Sequence, residues 1–215
     1  MTALGYTVLH SDPFLVVCDK ASGLLSVPGI GPEKADCLVS RLQREFAGAR
    51  IVHRLDRDTS GVIVLARDAE THRTLSMSFE ARGVDKTYEA LVDGHLGEDR
   101  GVIDLPLRKE ALGSARQIVH RTEGKPSVTE FEVLARGVDA DGFRWTRVKL
   151  TPRTGRSHQL RVHMLAIGHA ILGDELYAEG PATTARTRLC LHARTLGFVH
   201  PRTGQRAEFA AACPF

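Results

Sequence analysis

Apolar positions in this chain fall first in short runs and later in two distinct spacings. Val8-Leu9 and Phe14-Leu15-Val16-Val17-Cys18 have the density of strands, and they give way to a Ser22-Gly23 turn and a Gly- and Pro-rich loop from Pro28 to Pro32. Leu38, Leu42 and Phe46 recur at helical spacing and predict a short helix. Ile51-Val52 and Val62-Ile63-Val64-Leu65 read as buried strands on either side of a polar loop, His53 to Gly61. Asp68 stands where it can cap a helix from Ala69 to Arg82, with Leu75 and Phe79 facing inward and Gly83 as the stop.

From Lys86 the pattern changes to short strands: Thr87 to Val92, Val102 to Leu105, Val128 to Leu134 and Phe143 to Leu150. Leu160, Met164 and Ile167 predict one further helix over Ser157 to Ile167, which Gly168 would stop. A closing hairpin joins Leu196-Gly-Phe-Val to Ala207-Glu-Phe through Pro201-Arg-Thr-Gly. No repeat, low-complexity tract or linker interrupts the chain, so one domain over residues 1–215 is expected. Strand runs with a few interspersed helices and no regular alternation predict an α+β fold, a mixed or antiparallel β-sheet core with flanking helices.

Composition is that of an ordinary globular protein, and a formal net charge of +3 names no partner by itself. The placement of charge says more. No acidic residue lies between Asp141 and Asp174, where Arg144, Arg147, Lys149, Arg153, Arg156 and Arg161 fall together with His158, His163 and His169. A second acid-free stretch, Gly180 to Ala207, carries Arg186, Arg188, Arg194, Arg202 and Arg206. Such stretches are either solvated faces or surfaces for an anionic partner. The four cysteines are scattered without metal-site spacing, which suits reduced thiols and a cytoplasmic location. The N-terminus lacks the marks of a signal peptide, and no run is apolar enough to span a bilayer, so neither secretion nor a membrane partner is expected.

Two segments concentrate chemistry. Ile51-Val-His-Arg-Leu-Asp-Arg-Asp-Thr-Ser-Gly61 places a carboxylate, Asp56, among cations in a loop pinned by strands, where catalytic groups tend to sit. Leu150-Thr-Pro-Arg-Thr-Gly-Arg-Ser-His-Gln-Leu-Arg-Val-His163 brings donors to the start of a helix, an end that favours phosphate or carbonyl oxygens. Taken singly, Asp56 would read as a turn residue or surface ion-pair partner, and His158 and His163 as hydrogen-bonded structural histidines.

Together, His53-Arg-Leu-Asp-x-x-Thr-Ser-Gly61 and Thr154-Gly-Arg-Ser-His-Gln-Leu-Arg-x-His163 resemble the two signature motifs of the RluA family of pseudouridine synthases. The resemblance continues in Val16-Val-x-Asp-Lys20 through Ser22-Gly-Leu, in Lys86-Thr-Tyr-Glu-Ala-Leu-Val, in Gly173-Asp-x-x-Tyr177 and in Leu191-His-Ala, in family order over nearly the whole chain. It implies an isomerase that turns uridine into pseudouridine in structured RNA, large-subunit rRNA or tRNA or both, without cofactor or metal. By position, Asp56 matches the essential aspartate, Tyr88 the tyrosine that lies against the uracil, and Arg161 the arginine that pairs with the aspartate. Arg54 matches a basic residue that enters the RNA stack where the flipped uridine has left. Arg153, Thr154, Arg156 and His158 are the further RNA contacts expected. Extruding a base costs a few kcal/mol, which a wedge and a flat aromatic partner would offset.

Lys20 is followed by Ala21 where the family has proline, and the ending Ala210-Ala-Ala-Cys-Pro-Phe215 is a loose version of the usual one. An appended S4-type RNA-binding domain is not expected, because the catalytic pattern begins close to Met1. Ser114 to Lys125 is then a candidate RNA-contact loop, or an ordinary hairpin. A metal-dependent hydrolase lacks its motif here. A non-catalytic RNA-binding or RNA-folding protein of the same fold is the alternative, and a monomer is the default expectation.

Overall fold

The computed structural model describes residues 5–215. The chain forms two compact units: unit 1 takes the described residues up to Lys86 together with His192–Pro214, and unit 2 takes Thr87–Leu191 with Phe215.

Unit 1 opens with strands β1 (Tyr6–Ser11) and β2 (Leu15–Lys20), then helix α1 (Leu38–Leu42), strands β3 (Arg50–Ile51) and β4 (Ser60–Ala66), and helix α2 (Ala69–Glu80). β2 lies antiparallel between β1 and β4, in register from Leu15 opposite Ala66 to Lys20 opposite Gly61. Every residue of β4 is buried, which is why it reads as a continuous apolar run and not as an alternation. Asp68 caps α2 as expected, its carboxylate accepting the Thr71 amide at 2.9 Å. The helix ends at Glu80, two residues short of the expected Arg82. Arg82 takes the left-handed conformation, φ 61°, and Gly83 donates back to Ser78 at 2.8 Å. α1 is shorter than the Leu38, Leu42, Phe46 spacing predicts, and Phe46 follows it in a turn.

Unit 2 contains β5 (Asp85–Asp93), β6 (Arg100–Asp104), β7 (Leu107–Lys109), β8 (Gln117–Val119), β9 (Val128–Val138), β10 (Arg144–Pro152), helix α3 (Gln159–Ala166) and the single turn α4 (Pro181–Thr184). β10 pairs antiparallel with β5 on one side and β9 on the other, and β6 pairs with β9. Ala90, Val92, Val148, Leu150, Leu160 and Met164 form the centre of its core. The polar segment Ser114 to Lys125 contains β8, which makes a two-stranded ribbon with β7.

The chain then returns to unit 1 with β11 (Leu191–Val199) and β12 (Arg206–Ala210), the expected hairpin. β11 runs parallel to β4, His192 opposite Ser60 and Ala193 opposite Gly61, so unit 1 is mixed while the sheet of unit 2 is antiparallel. The predicted α+β class holds. Gly61 has φ 114°, and a Cβ there would meet the backbone oxygen of Ala193 at 2.2 Å, so the parallel approach requires glycine. Leu15, Val17, Val62, Val64, Leu75 and Phe198 make the core beneath, with Phe79 packed against it.

Candidate active site

Residues 52–59 are irregular because β4 cannot begin until the chain has turned, which it does through a Thr59 N–H to Asp56 carbonyl bond of 3.2 Å. The segment after β2 grips this loop. Ser26 Oγ donates to the Leu55 carbonyl at 2.7 Å and accepts the Leu55 amide at 3.2 Å. The Arg57 carbonyl accepts from the Gly23 amide at 2.9 Å and from Lys20 Nζ at 3.0 Å. Ser22 Oγ donates to the Asp58 carbonyl at 2.7 Å. Asp56 therefore sits, half-buried, in a loop fixed on both sides of it, while Arg54 is exposed. Lys20, whose role the sequence leaves open, is fully buried, and its ammonium also donates to the carbonyls of Ala21 and Leu24. It staples the loop from inside.

His53 holds the other end. Its Nε2 accepts the Val64 amide at 3.2 Å, satisfying a β4 donor in the interval between the β11 and β3 pairings, and its ring stacks on Phe79 at 4.3 Å. Desolvation first, and the positive charge of Lys86 second, push the His53 pKa down to about 3. Behind Gly61, Ser60 Oγ meets His192 Nδ1 at 2.8 Å in the interior.

In unit 2, Tyr88 lies on β5 opposite Leu150, half-buried against the core. Arg161 is buried on α3, and its Nε and Nη2 clasp Asp174 at 2.7 and 2.6 Å. Asp174 also accepts the amides of Leu176 and Tyr177, at 3.0 and 3.1 Å. The sequence offered Asp174 only as part of a motif; its service to Arg161 is a tertiary fact.

The helix α3 starts at Gln159, later than the Ser157 start expected, because His158 is left-handed at φ 53°. The Gln159 side chain takes up donors that had been assigned to a ligand. Its Oε1 accepts the Arg156 amide at 3.0 Å and the Thr154 hydroxyl at 2.8 Å. Thr154 is buried and also accepts the Val128 amide, so its hydroxyl braces the loop. Arg153 and Arg156 are exposed, Arg153 in a bidentate pair with Glu130. His158 is half-buried, its Nδ1 2.8 Å from the Tyr177 hydroxyl. His163 is structural, as its burial between the Leu105 carbonyl and the Thr129 hydroxyl requires, and burial lowers its pKa.

Unit 1 thus offers a loop carboxylate fixed through its main chain and unit 2 a buried guanidinium aimed by a carboxylate, each a means of stabilising charge. Comparison with known proteins decides the chemistry. The family model for RNA pseudouridylate synthase matches residues 14–166. The chain belongs to the RNA pseudouridine synthase family. It is 49% identical over 97% of its length to a protein of Yersinia pestis named dual-specificity RNA pseudouridine synthase RluA, of which it covers 99%. The like-named protein of Escherichia coli K12 is 45% identical over 97% of this chain and 93% of its own. Among solved structures, human RNA pseudouridylate synthase domain containing 1 superimposes with a TM-score of 0.83 at 30% identity, covering all of this chain and 86% of that one. This synthase is thus an isomerase acting on uridine in RNA, and its resemblance to the RluA proteins extends over 97% of the chain.

Proposed function

We propose that the synthase isomerises specific uridines in folded RNA, in both large-subunit rRNA and tRNA, with Asp56 as the essential carboxylate. The relatives named as dual-specificity enzymes, at 45–49% identity, support more than one target. Two aspects of the arrangement support the role of Asp56: its loop is clamped at Leu55, Arg57 and Asp58 while its side chain remains half-buried.

The reaction breaks the bond between uracil N1 and ribose C1′, turns the base and rejoins it through C5, C5 losing its proton and N1 ending with one, so that the product is an isomer. No water needs activating, so one carboxylate serves where glycoside hydrolysis needs two. Asp56 attacks C1′ or stabilises the intermediate that forms when the base departs. Arg161 keeps the carboxylate ionised; at about 4 Å and an effective dielectric of about 20 such an attraction is on the order of 4 kcal/mol before desolvation. Tyr88 lies against the uracil and assists loss of the C5 proton. Arg54 enters the stack vacated by the flipped nucleotide, Arg153, Arg156 and His158 meet RNA, and Thr154 holds their loop. Residues 1–215 act as a single catalytic domain and a cytoplasmic monomer that needs no cofactor.

The test is a map of pseudouridine across all cellular RNA with and without this gene, followed by complementation. Sites in both rRNA and tRNA should vanish with the gene and return with wild type. With Asp56→Asn they should stay absent, turnover falling at least about 100-fold while RNA affinity moves less than about threefold. Turnover by that variant above a few per cent of wild type defeats the assignment of Asp56, and loss of sites in one RNA class alone defeats the dual target.

A further inference from the structure

Tyr177 is buried to 3% exposure although it carries a hydroxyl, and that hydroxyl has two partners. It accepts the Gln117 amide at 2.7 Å, which leaves its proton for His158 Nδ1 at 2.8 Å. The Tyr177 amide is held by Asp174, the carboxylate that clasps Arg161. Its ring has the Arg161 guanidinium 4.9 Å from the centroid and that of Arg116 at 5.3 Å, both within cation–π range. Gln117 and Arg116 belong to the ribbon made by β7 and β8, and His158 to the turn that starts α3. One side chain is therefore shared by the ribbon, the turn and Arg161.

The ribbon and its loops carry more cations than acids. Arg108, Lys109, Arg116, Arg121 and Lys125 lie on it or in its loops. The Nε atoms of Arg108 and Arg116 are buried and reach no hydrogen-bond acceptor, the nearest carboxylates of Glu123 and Glu110 standing at 3.5 and 3.7 Å. Donors left in that state gain from a small shift that brings a phosphate oxygen to the guanidinium.

We infer that Tyr177 is a positioning residue that ties the β7–β8 ribbon, acting as an RNA-contacting arm, to Arg161, so that RNA seated on the ribbon holds the guanidinium in its working orientation. The inference rests on the role proposed above for Arg161. The hydroxyl reports the seat of the ribbon, since it can accept from Gln117 only while β8 lies where it does. The ring and the Asp174 clasp carry that seat to the guanidinium.

The experiment compares wild type, Tyr177→Phe and Tyr177→Leu by amide hydrogen exchange and by initial rates on RNA extracted from cells lacking the gene. In Tyr177→Phe the Gln117 amide should exchange about tenfold faster while the Leu176 amide, held by Asp174, is unchanged. The rate at limiting RNA should fall about fivefold and the rate at saturating RNA by less than twofold. Tyr177→Leu, which also loses the ring, should lower the saturating rate about tenfold or more. A tyrosine that only supports the fold would depress both rates together. Equal losses at both RNA concentrations, or Gln117 exchange unaltered in Tyr177→Phe, overturn the inference, and should Tyr177→Leu not fold, the phenylalanine variant decides alone. Normal turnover by Arg161→Met would strike the reading beneath, whereas the exchange of Gln117 reports on the tie itself.

Discussion

In unit 1 the loop around Asp56 is held by its amides and carbonyls, whereas in unit 2 Arg161 is held by its own guanidinium. The first arrangement fixes where the Cα of Asp56 sits, through bonds to the main chain on either side of it. The second acts on the plane and direction of a cation through the side chain itself. One support acts on the backbone beside a side chain and the other on the side chain itself, so the two should respond differently to substitution.

Removing the side-chain clasp should have the largest effect. Arg161→Met leaves the fully buried Asp174 carboxylate with only backbone donors, and breaking such a pair costs about 3–5 kcal/mol. Thermal unfolding should show that loss, and turnover should fall nearly as far as in Asp56→Asn. Normal turnover at reduced stability would mean that Arg161 supports the fold alone.

The next effect concerns acid. With its pKa held at about 3, His53 is neutral in the folded protein, while the unfolded chain takes a proton as pH drops through about 6.5. Stability is thus full above that value, is lower by about 2 kcal/mol at pH 5, and stops falling near pH 3 as far as this group contributes. His53→Gln keeps an acceptor for the Val64 amide and should flatten this part of the pH–stability curve; an unchanged slope would assign it to other groups.

A smaller effect should follow from Ser26→Ala, which removes both bonds to Leu55 from the main-chain clamp. A local loss of about 1–3 kcal/mol is expected, with kcat down about tenfold and KM within about twofold. An unchanged kcat would show that Lys20, Ser22 and Gly23 suffice. The smallest effect separates two arginines. Arg156→Ala should reduce the log–log salt slope of RNA binding by about 0.7–0.9, and Arg153→Ala by less, because Glu130 already faces Arg153. Equal slopes in all three proteins would make the segment a solvated face.

That last contrast shows what local pattern can and cannot reveal. β4, α2 and the Asp68 cap were legible because each depends on residues within a turn or two of itself, and the loop carrying Asp56 was legible because two apolar strands bracket it. The acid-free stretch from 142 to 173 misleads when read as a line. Glu130 and Glu132 on β9 face Arg153 and Lys149 of the β10 side, and Glu89 of β5 reaches Arg147. Pairing across strands supplied the acids that sequence neighbours lacked. The left-handed His158 and the short β7 and β8 were hidden for a related reason: the first depends on Gln159 folding back, and the others are too short for a period to show. Asp174, Tyr177, Ser26 and Lys20 act through partners far along the chain, so motif resemblance marked the positions of Lys20, Asp174 and Tyr177 without saying what they touch.

Unit 1 is made from two stretches of chain, and its Ser60–His192 bond joins residues 132 apart. At about 5–20 residues per second, a ribosome needs on the order of ten seconds to travel from one to the other. Throughout that interval β4 waits with the edge intended for β11 uncovered and Gly61 without its partner Ala193. The emerging polypeptide then carries an exposed strand edge prone to aggregation, and a premature stop between Arg161 and β11 should yield an insoluble, inactive product although every residue assigned to catalysis has already been translated.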